Sequence, residues 1–412
     1  EMVIRDWSSD VCSSDLISIK GSWPDAKKPH PGWTGSDVAG VPLLLVSGEY
    51  EWAEERAGKA LPFRRAFPAV PFSMLADAGG GHFDSHNALV TFLAVYLRKA
   101  ALFRLPATPP PIGGAPTLTP IDATRQGWLV DRWRQDKPPR APAAPAAEYT
   151  GDTNETYWCF DAQHALATER LQSHYLGKKP QLLGYVQAGA VVPQNAATHQ
   201  QVTLGFIPDP DGDGLTFTLR GTFLDTVPEG RPARWTALPA GAPVGHASAD
   251  APVVIRRICG PVAKLADDTF ALRFDRLGFD NPRRSSEIWP LAEHPGDGEY
   301  KRALQQAVLR FPLRNTAGTP QTIAFAPIPD QPAGTHTLRL HATSSANLPV
   351  RFYVREGPAT VSDDGTLTFS PLPPRTKYPV AVTVVAWQWG RSTEPKHQSA
   401  TPVAHTFRLN GP

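Results

Sequence analysis

YPVAVTVVAWQWG (Tyr378–Gly390) places Val380, Val382, Val384 and Ala386 at every second position of an otherwise mixed stretch. Side chains of an extended strand alternate between two faces, so a period of two marks a strand with one face turned to a core. The same rhythm recurs outward from it in TIAFAPIPD, THTLRLHATSS, LPVRFYVREGPATV, GTLTFSPLPP and TPVAHTFRLN. Leu338, Leu340 and Ala342, for example, interleave with Arg339, His341 and Thr343. Gly, Pro, Asp and Ser clusters separate the runs, as turns do. Residues 319–412 therefore predict an antiparallel β-sandwich. Trp387 and Trp389 stand two apart and should share a face, where they read as core or strand-edge packing, with a sugar-stacking platform as the alternative.

The phrases Leu348-Pro349-Val350, Val354-x-x-Gly357-Pro358-Ala359 and Gly365-x-Leu367 resemble the immunoglobulin-like (Ig-like) domains of bacterial exported enzymes. Upstream, residues 146–318 predict a β-rich middle module. QLLGYVQAGAVV, VTLGFIPD, LTFTLRGTFLD, VVIRRICGPV, TFALRFDRLGF and AVLRFPLRN are rich in Val, Leu, Phe and Thr and read as strands. One helix is expected, from about Asp161 to a stop at Gly177. Asp209-Pro210-Asp211-Gly212-Asp213-Gly214 opens like a calcium loop, but a helix-loop-helix site needs a Glu about six residues past its glycine. Position 220 is Arg, so a turn is the better reading. Cys159 and Cys259 lack any zinc-ligand spacing; a disulfide and two free thiols both stay open. Residues 107–145 are rich in Pro and predict a linker, its Trp128 and Trp133 anchoring it to a neighbouring domain.

Residues 17–106 have another character. GVPLLLVSGEYEW (Gly40–Trp52) is a continuous apolar run, the mark of a strand buried on both faces. A helix follows over Ala53–Phe67, which Pro62 should interrupt. PFSMLADAGGGHFDSHNALVTFLAVYLRKAAL (Pro71–Leu102) then reads as strand, triple-glycine turn, His82 and an amphipathic helix capped by Asp84 or Ser85. Strand, acid, helix, strand, Gly-rich turn, His and helix in this order resemble the last two β/α units of an α/β-hydrolase of the esterase kind. The resemblance implies His82 as the catalytic histidine and Glu51 as its acid, with Glu49 as the alternative acid. Asp is more usual at that place. Asp77 reads as a turn residue, and Asp84 and His86 as helix-start residues. No Gly-x-Ser-x-Gly elbow occurs, and Ser47 is flanked two residues away by Leu45 and Glu49. The nucleophile is therefore expected to be absent, and the polypeptide inactive alone.

Residues 1–16, EMVIRDWSSDVCSSDL, resemble a translated sequencing adapter and are expected to be an artefact without order, Cys12 included. The fold class expected for the whole is multidomain α/β plus all-β: an incomplete α/β-hydrolase end, a β-rich middle module and a C-terminal Ig-like β-sandwich. The 44 prolines, about twice the usual share of ~5%, agree with many short elements. A formal charge of +2 without basic runs argues against nucleic acid as a partner. No apolar stretch approaches the roughly 18 residues of a membrane span. Neither a cofactor nor a metal is expected, and the sequence leaves the oligomeric state open. The functional expectation is a piece of a secreted, periplasmic or cell-surface serine hydrolase acting on an ester or carbohydrate-linked substrate. A prolyl-oligopeptidase-type peptidase is one alternative, and a non-catalytic cell-surface binding protein with Ig-like modules is the other.

Overall fold

The computed structural model describes residues 16–20, 38–51, 53–108, 110–111, 114, 116–195, 202–210, 212–230, 235–274, 278–279, 281 and 286–411. Of the stretch expected to be an artefact, residues 1–15 lie outside these. Two compact units make up the chain. One comprises Glu1–Leu182, Leu224–Ala251 and His294–Gln305; the other comprises Leu183–Phe223, Pro252–Glu293 and Gln306–Pro412.

In the first unit, β1 (Leu16–Ile19), β2 (Leu43–Gly48) and β3 (Phe72–Asp77) form a parallel sheet in the order β1-β2-β3. Every position of β2 and β3 is buried. Alternation decides where each residue goes. Leu43, Leu45, Phe72 and Met74 share one cluster with Ala57, Leu61 and Phe63 of α1 (Ala53–Ala66). Leu44, Val46 and Leu75 share another with Leu89, Phe92 and Tyr96 of α2 (Asn87–Arg104). A helix on each face explains the unbroken apolar run of β2. Pro62 does not end α1, which runs on to Ala66; the buried Leu61 and Phe63 on either side offset the hydrogen bond that proline cannot make.

A second sheet follows, of β4 (Trp128–Asp131), β5 (Ala144–Pro145) and β6 (Thr156–Cys159), antiparallel in the order β5-β4-β6. Ser73 of β3 donates to the Trp158 carbonyl at 2.6 Å. Next comes α3 (Ala162–Gln172), capped by Asp161, whose side chain accepts from the His164 amide; it ends well before Gly177.

The second unit is built of strands only, among the described residues. Val254–Cys259, Glu287–His294, Val308–Arg310 and Thr203–Gly205 lie side by side in that order. Asp213 turns the chain into the strand Thr216–Thr218, accepting from the amides of Leu215 at 2.9 Å and Thr216 at 2.8 Å. The Asp213 carboxylate is thus satisfied by the backbone that follows it. C-terminally, Gln331–Pro332, Val403–Asn410, Val380–Trp387 and Arg351–Glu356 form a four-stranded sheet. Thr337–Arg339, Thr366–Phe369 and Ala359–Val361 form a three-stranded one. Val382, Val384, Phe407 and Leu409 of the first meet Ala359, Leu367 and Phe369 of the second in one core, which makes a two-sheet β-sandwich.

Trp387 and Trp389 are 0% and 1% exposed. Phe274 meets Trp387 edge-on with ring centroids 4.8 Å apart, and Phe279 and Phe311 lie 5.6 and 5.8 Å from Trp389. A sugar cannot stack on rings that other rings cover. Among the described residues Cys159 and Cys259 are free thiols, Cys159 buried and Cys259 exposed.

The α/β-hydrolase expectation for 17–106 does not hold, and the hydrolase, esterase and serine-hydrolase readings fall with it. The described residues carry twenty-six strands and only three α-helices, in many small and mainly antiparallel sheets. Among the described residues the β1–β3 sheet has three parallel strands, and the unit continues into the antiparallel β4–β6. A strand, an acid, a glycine turn and a histidine are what any pair of β/α units can present; the pattern is local and does not specify the sheet around it. The fold class is β-rich with a C-terminal β-sandwich, not multidomain α/β plus all-β with a hydrolase end.

Replacing Trp387 by Ala leaves a void inside a fully enclosed aromatic cluster. It is expected to cost about 3–5 kcal/mol, read as a lowered urea midpoint at unchanged slope.

Candidate functional site

Parallel strands send their carboxyl ends to one edge of a sheet, and in open α/β layers that edge is where ligands gather. Here the edge holds Lys20 after β1, Glu49 and Glu51 after β2, and the loop Asp77–His86 after β3. Glu49–Glu51 form one turn of 3-10 helix with all three residues buried, which turns both carboxylates inward.

The glycines decide how close the loops come. The Tyr50 amide donates to the Gly80 carbonyl at 3.0 Å. A Cβ on Gly48 would lie 2.6 Å from that same oxygen, and one on Gly80 would lie 2.1 Å from Asp77 Oδ2. Gly79 has φ +67, the left-handed region that glycine enters freely.

Glu51 and His82 are brought together: Glu51 Oε1 faces His82 Nδ1 in direct contact. Glu51 Oε2 accepts from the Gly48 amide at 3.4 Å, and Arg56 lies 3.6 Å from Oε1. The ring of Phe83 meets that of His82 edge-on at 4.2 Å. A carboxylate on Nδ1 fixes the imidazole orientation and directs Nε2 away from the pair.

Glu49 goes elsewhere. Its Oε1 accepts from Lys301 Nζ at 2.6 Å and its Oε2 from the Gly79 amide at 2.8 Å. Lys301 is 0% exposed and also donates to Asp136 at 2.9 Å. Burial pulls its pKa down, but the Glu49 and Asp136 carboxylates outweigh this and hold it above the ordinary lysine value. Burial and the Glu49 charge raise the Tyr50 phenol, which donates to the Arg302 carbonyl at 2.5 Å.

Asp77 is not a turn residue but the end of β3. Its Oδ2 accepts from Lys20 Nζ at 2.9 Å and its Oδ1 from His86 Nε2 at 2.8 Å. Burial alone would raise the Asp77 pKa; the His86 hydrogen bond and the Lys20 charge together hold it below the usual carboxylate range. The cap of α2 is His86, whose Nδ1 accepts from the Leu89 amide at 3.3 Å. Asp84 cannot serve there because Arg302 holds both its oxygens, at 3.1 and 2.5 Å. Asp77, Asp84 and His86 bring ligand atoms within 4.8 Å of one another. Lys20 and Arg302 already neutralise the two carboxylates, so this donor set does not fit a metal ion.

Lys20, Asp136, Lys301 and Arg302 escape the sequence reading. Lys301 meets Glu49 across 252 positions, and no local pattern announces such a pair.

No known protein family matches the sequence, and no curated protein does. Among solved structures, the chain aligns with human protocadherin-24 EC1-2 at 10% identity, over 56% of this chain and 98% of that one, with a TM-score of 0.18. It aligns with Drosophila N-cadherin EC1-4 at 11% identity, over 72% and 69%, with a TM-score of 0.19. Mouse cadherin-23 EC22-24 gives 17% identity, 72% and 77% coverage and a TM-score of 0.17. Scores of this size carry no argument, so the sandwich rests on its own strand pairing.

Two outcomes follow from these ion pairs. Lys301→Met strands the buried Glu49 and is expected to destabilise the chain by about 3–5 kcal/mol, while adding Glu49→Gln restores part of the loss in the same urea titration. For Asp77, the folded-state pKa lies below the unfolded value of about 3.9. Its stabilisation is complete above that value and is lost as the pH falls through the lower, folded one. Asp77→Asn is therefore expected to shrink the fall of the urea midpoint below about pH 4.

Proposed function

We propose that this chain is a non-catalytic binding protein that works at the cell surface or outside the cell, with its Ig-like sandwich as a recognition module. The observation that carries this reading is the two-sheet sandwich over 319–412, a fold that presents loops and edges to partners and hosts many unrelated ligands. The charges at the carboxyl edge of the parallel sheet agree with it. Glu49, Asp77, Asp84, Lys20 and Lys301 are buried and engaged with one another or with neighbouring groups, as in a structural network. No helix among the described residues is long and apolar enough to cross a membrane.

One observation favours a second reading, in which Glu51 is an orienting carboxylate and His82 a proton acceptor. A carboxylate at Nδ1 leaves the other ring nitrogen as the basic one. An ester-linked or carbohydrate-linked ligand belongs to that reading.

The purified chain is assayed against a panel of chromogenic esters and a fluorophosphonate probe, and separately on a glycan array and intact cells. Surface or ligand retention that is lost on deleting 319–412, with no turnover and no labelling, is the expected result. Turnover that His82→Ala abolishes would overturn the non-catalytic reading and establish the second. Absence of retention on every surface would remove the binding role of the sandwich.

A further inference from the structure

His164, in the first turn of α3, is 0% exposed. Its Nδ1 accepts the backbone N–H of Phe160 at 3.3 Å. The proton of the neutral ring must then sit on Nε2, and that atom has no hydrogen-bond partner among the described residues. Around the imidazole stand Phe92 and Tyr96 of α2 and Phe160, with ring centroids 5.4, 5.4 and 5.5 Å away. This is an apolar cage that spans the contact between two helices.

Protonation has only one place to go, Nδ1, and there it sets one N–H against another. The hydrogen bond to Phe160 is lost, and a charge is created where no carboxylate touches the ring. The three rings stand tilted or edge-on to the imidazole, and a hydrogen-bond acceptor on Nδ1 is sacrificed. The groups facing His164 do not compensate. Asp161, at the start of α3, is engaged by Lys99 of α2 at 2.5 Å, so the attraction of one is opposed by the other. On β6, Cys159 is a thiol pushed up to about 12 by burial and is neutral. Tyr96 is a phenol. The carboxylates on β3 and β4, Asp77 and Asp131, are taken up by cations of their own, Asp77 by Lys20 and His86 and Asp131 by Arg134 at 2.8 Å.

We propose that His164 is an acid-sensitive latch: neutral, it holds the start of α3 against α2, and on protonation it lets that contact open. Burial, with a smaller part from Lys99, lowers its pKa to about 4 from 6.5, against a weaker opposing pull from Asp161. Proton binding in the folded state is weaker by roughly 300-fold. Because the folded value is below the unfolded one for a base, the unfolded chain takes up the proton first. Stability is full above about pH 6.5, falls as the pH drops toward 4, and levels off below. That window lies above the one set by Asp77, so the two can be told apart. A mildly acidic compartment would loosen the helix pair and expose Tyr96, Phe160 and their neighbours while the sandwich stays folded.

The test uses the full chain. Urea midpoints are measured from pH 7.5 to 4 for the wild type and His164→Asn, whose side-chain oxygen can take the Phe160 N–H but cannot titrate in this range. The wild type should lose its midpoint steadily between pH 6.5 and 4, and the variant should lose much less; equal losses would overturn the latch. Should the variant not fold, hydrogen exchange of the wild type decides alone, after correction for intrinsic rates. Protection of 158–172 should fall at least tenfold from pH 7 to pH 5 while that of 380–387 holds. Unchanged protection of 158–172, or an equal loss in both segments, would refute the proposal.

Discussion

A buried ammonium has to be neutralised where it lies, and Lys301 makes the first unit meet that demand. Its Nζ sits between Glu49 and Asp136, and Glu49 in turn receives the Gly79 amide. The next residue, Arg302, takes Asp84 with its guanidinium and the Tyr50 hydroxyl with its carbonyl. Two consecutive cations therefore hold the loops after β2 and β3 at once. Buried ion pairs contribute little net stability beyond a hydrophobic alternative. What they add here is position: Glu49 is matched to Lys301 and Asp84 to Arg302, and the loops cannot exchange places without stranding a charge.

That constraint also marks the limit of what the residues declare in order. β2 and β3 are legible because their apolar runs are long and closed by turns, and Glu51 and His82 because each follows its strand at short range. Glu49 and Glu51 are alike in sequence; only the distant Lys301 separates their roles. The cap of α2 misleads for the same reason, since Asp84 is a better capping type than His86 until Arg302 claims it. A local strand–acid–glycine–histidine order was enough to suggest a hydrolase, and the strands that follow show why it was not sufficient. Three parallel strands with two helices are a module, and its neighbours are antiparallel.

In the second unit Val382 and Val384 of the run Val380–Ala386 reach the sandwich core as the period of two predicts, but Thr383, Val385 and Trp387 on the other face are buried as well. The tryptophans beyond it are settled by residues the pattern does not mention. Phe274, Phe279 and Phe311 come from over 75 positions upstream and roof the two indoles. Aromatic residues that look available at the end of a strand become the join between the sandwich and the strands before it.

Gly80 has a consequence for how this chain can vary. Any other residue would drive a carbon into Asp77 Oδ2, the oxygen that Lys20 holds. To make room, Asp77 would have to rotate and so release His86, the residue that starts α2. A single methyl group in a loop would thus be felt at the beginning of an eighteen-residue helix. Drift at position 80 is closed unless Lys20, Asp77 and His86 change with it, and the four positions are expected to be inherited as a set.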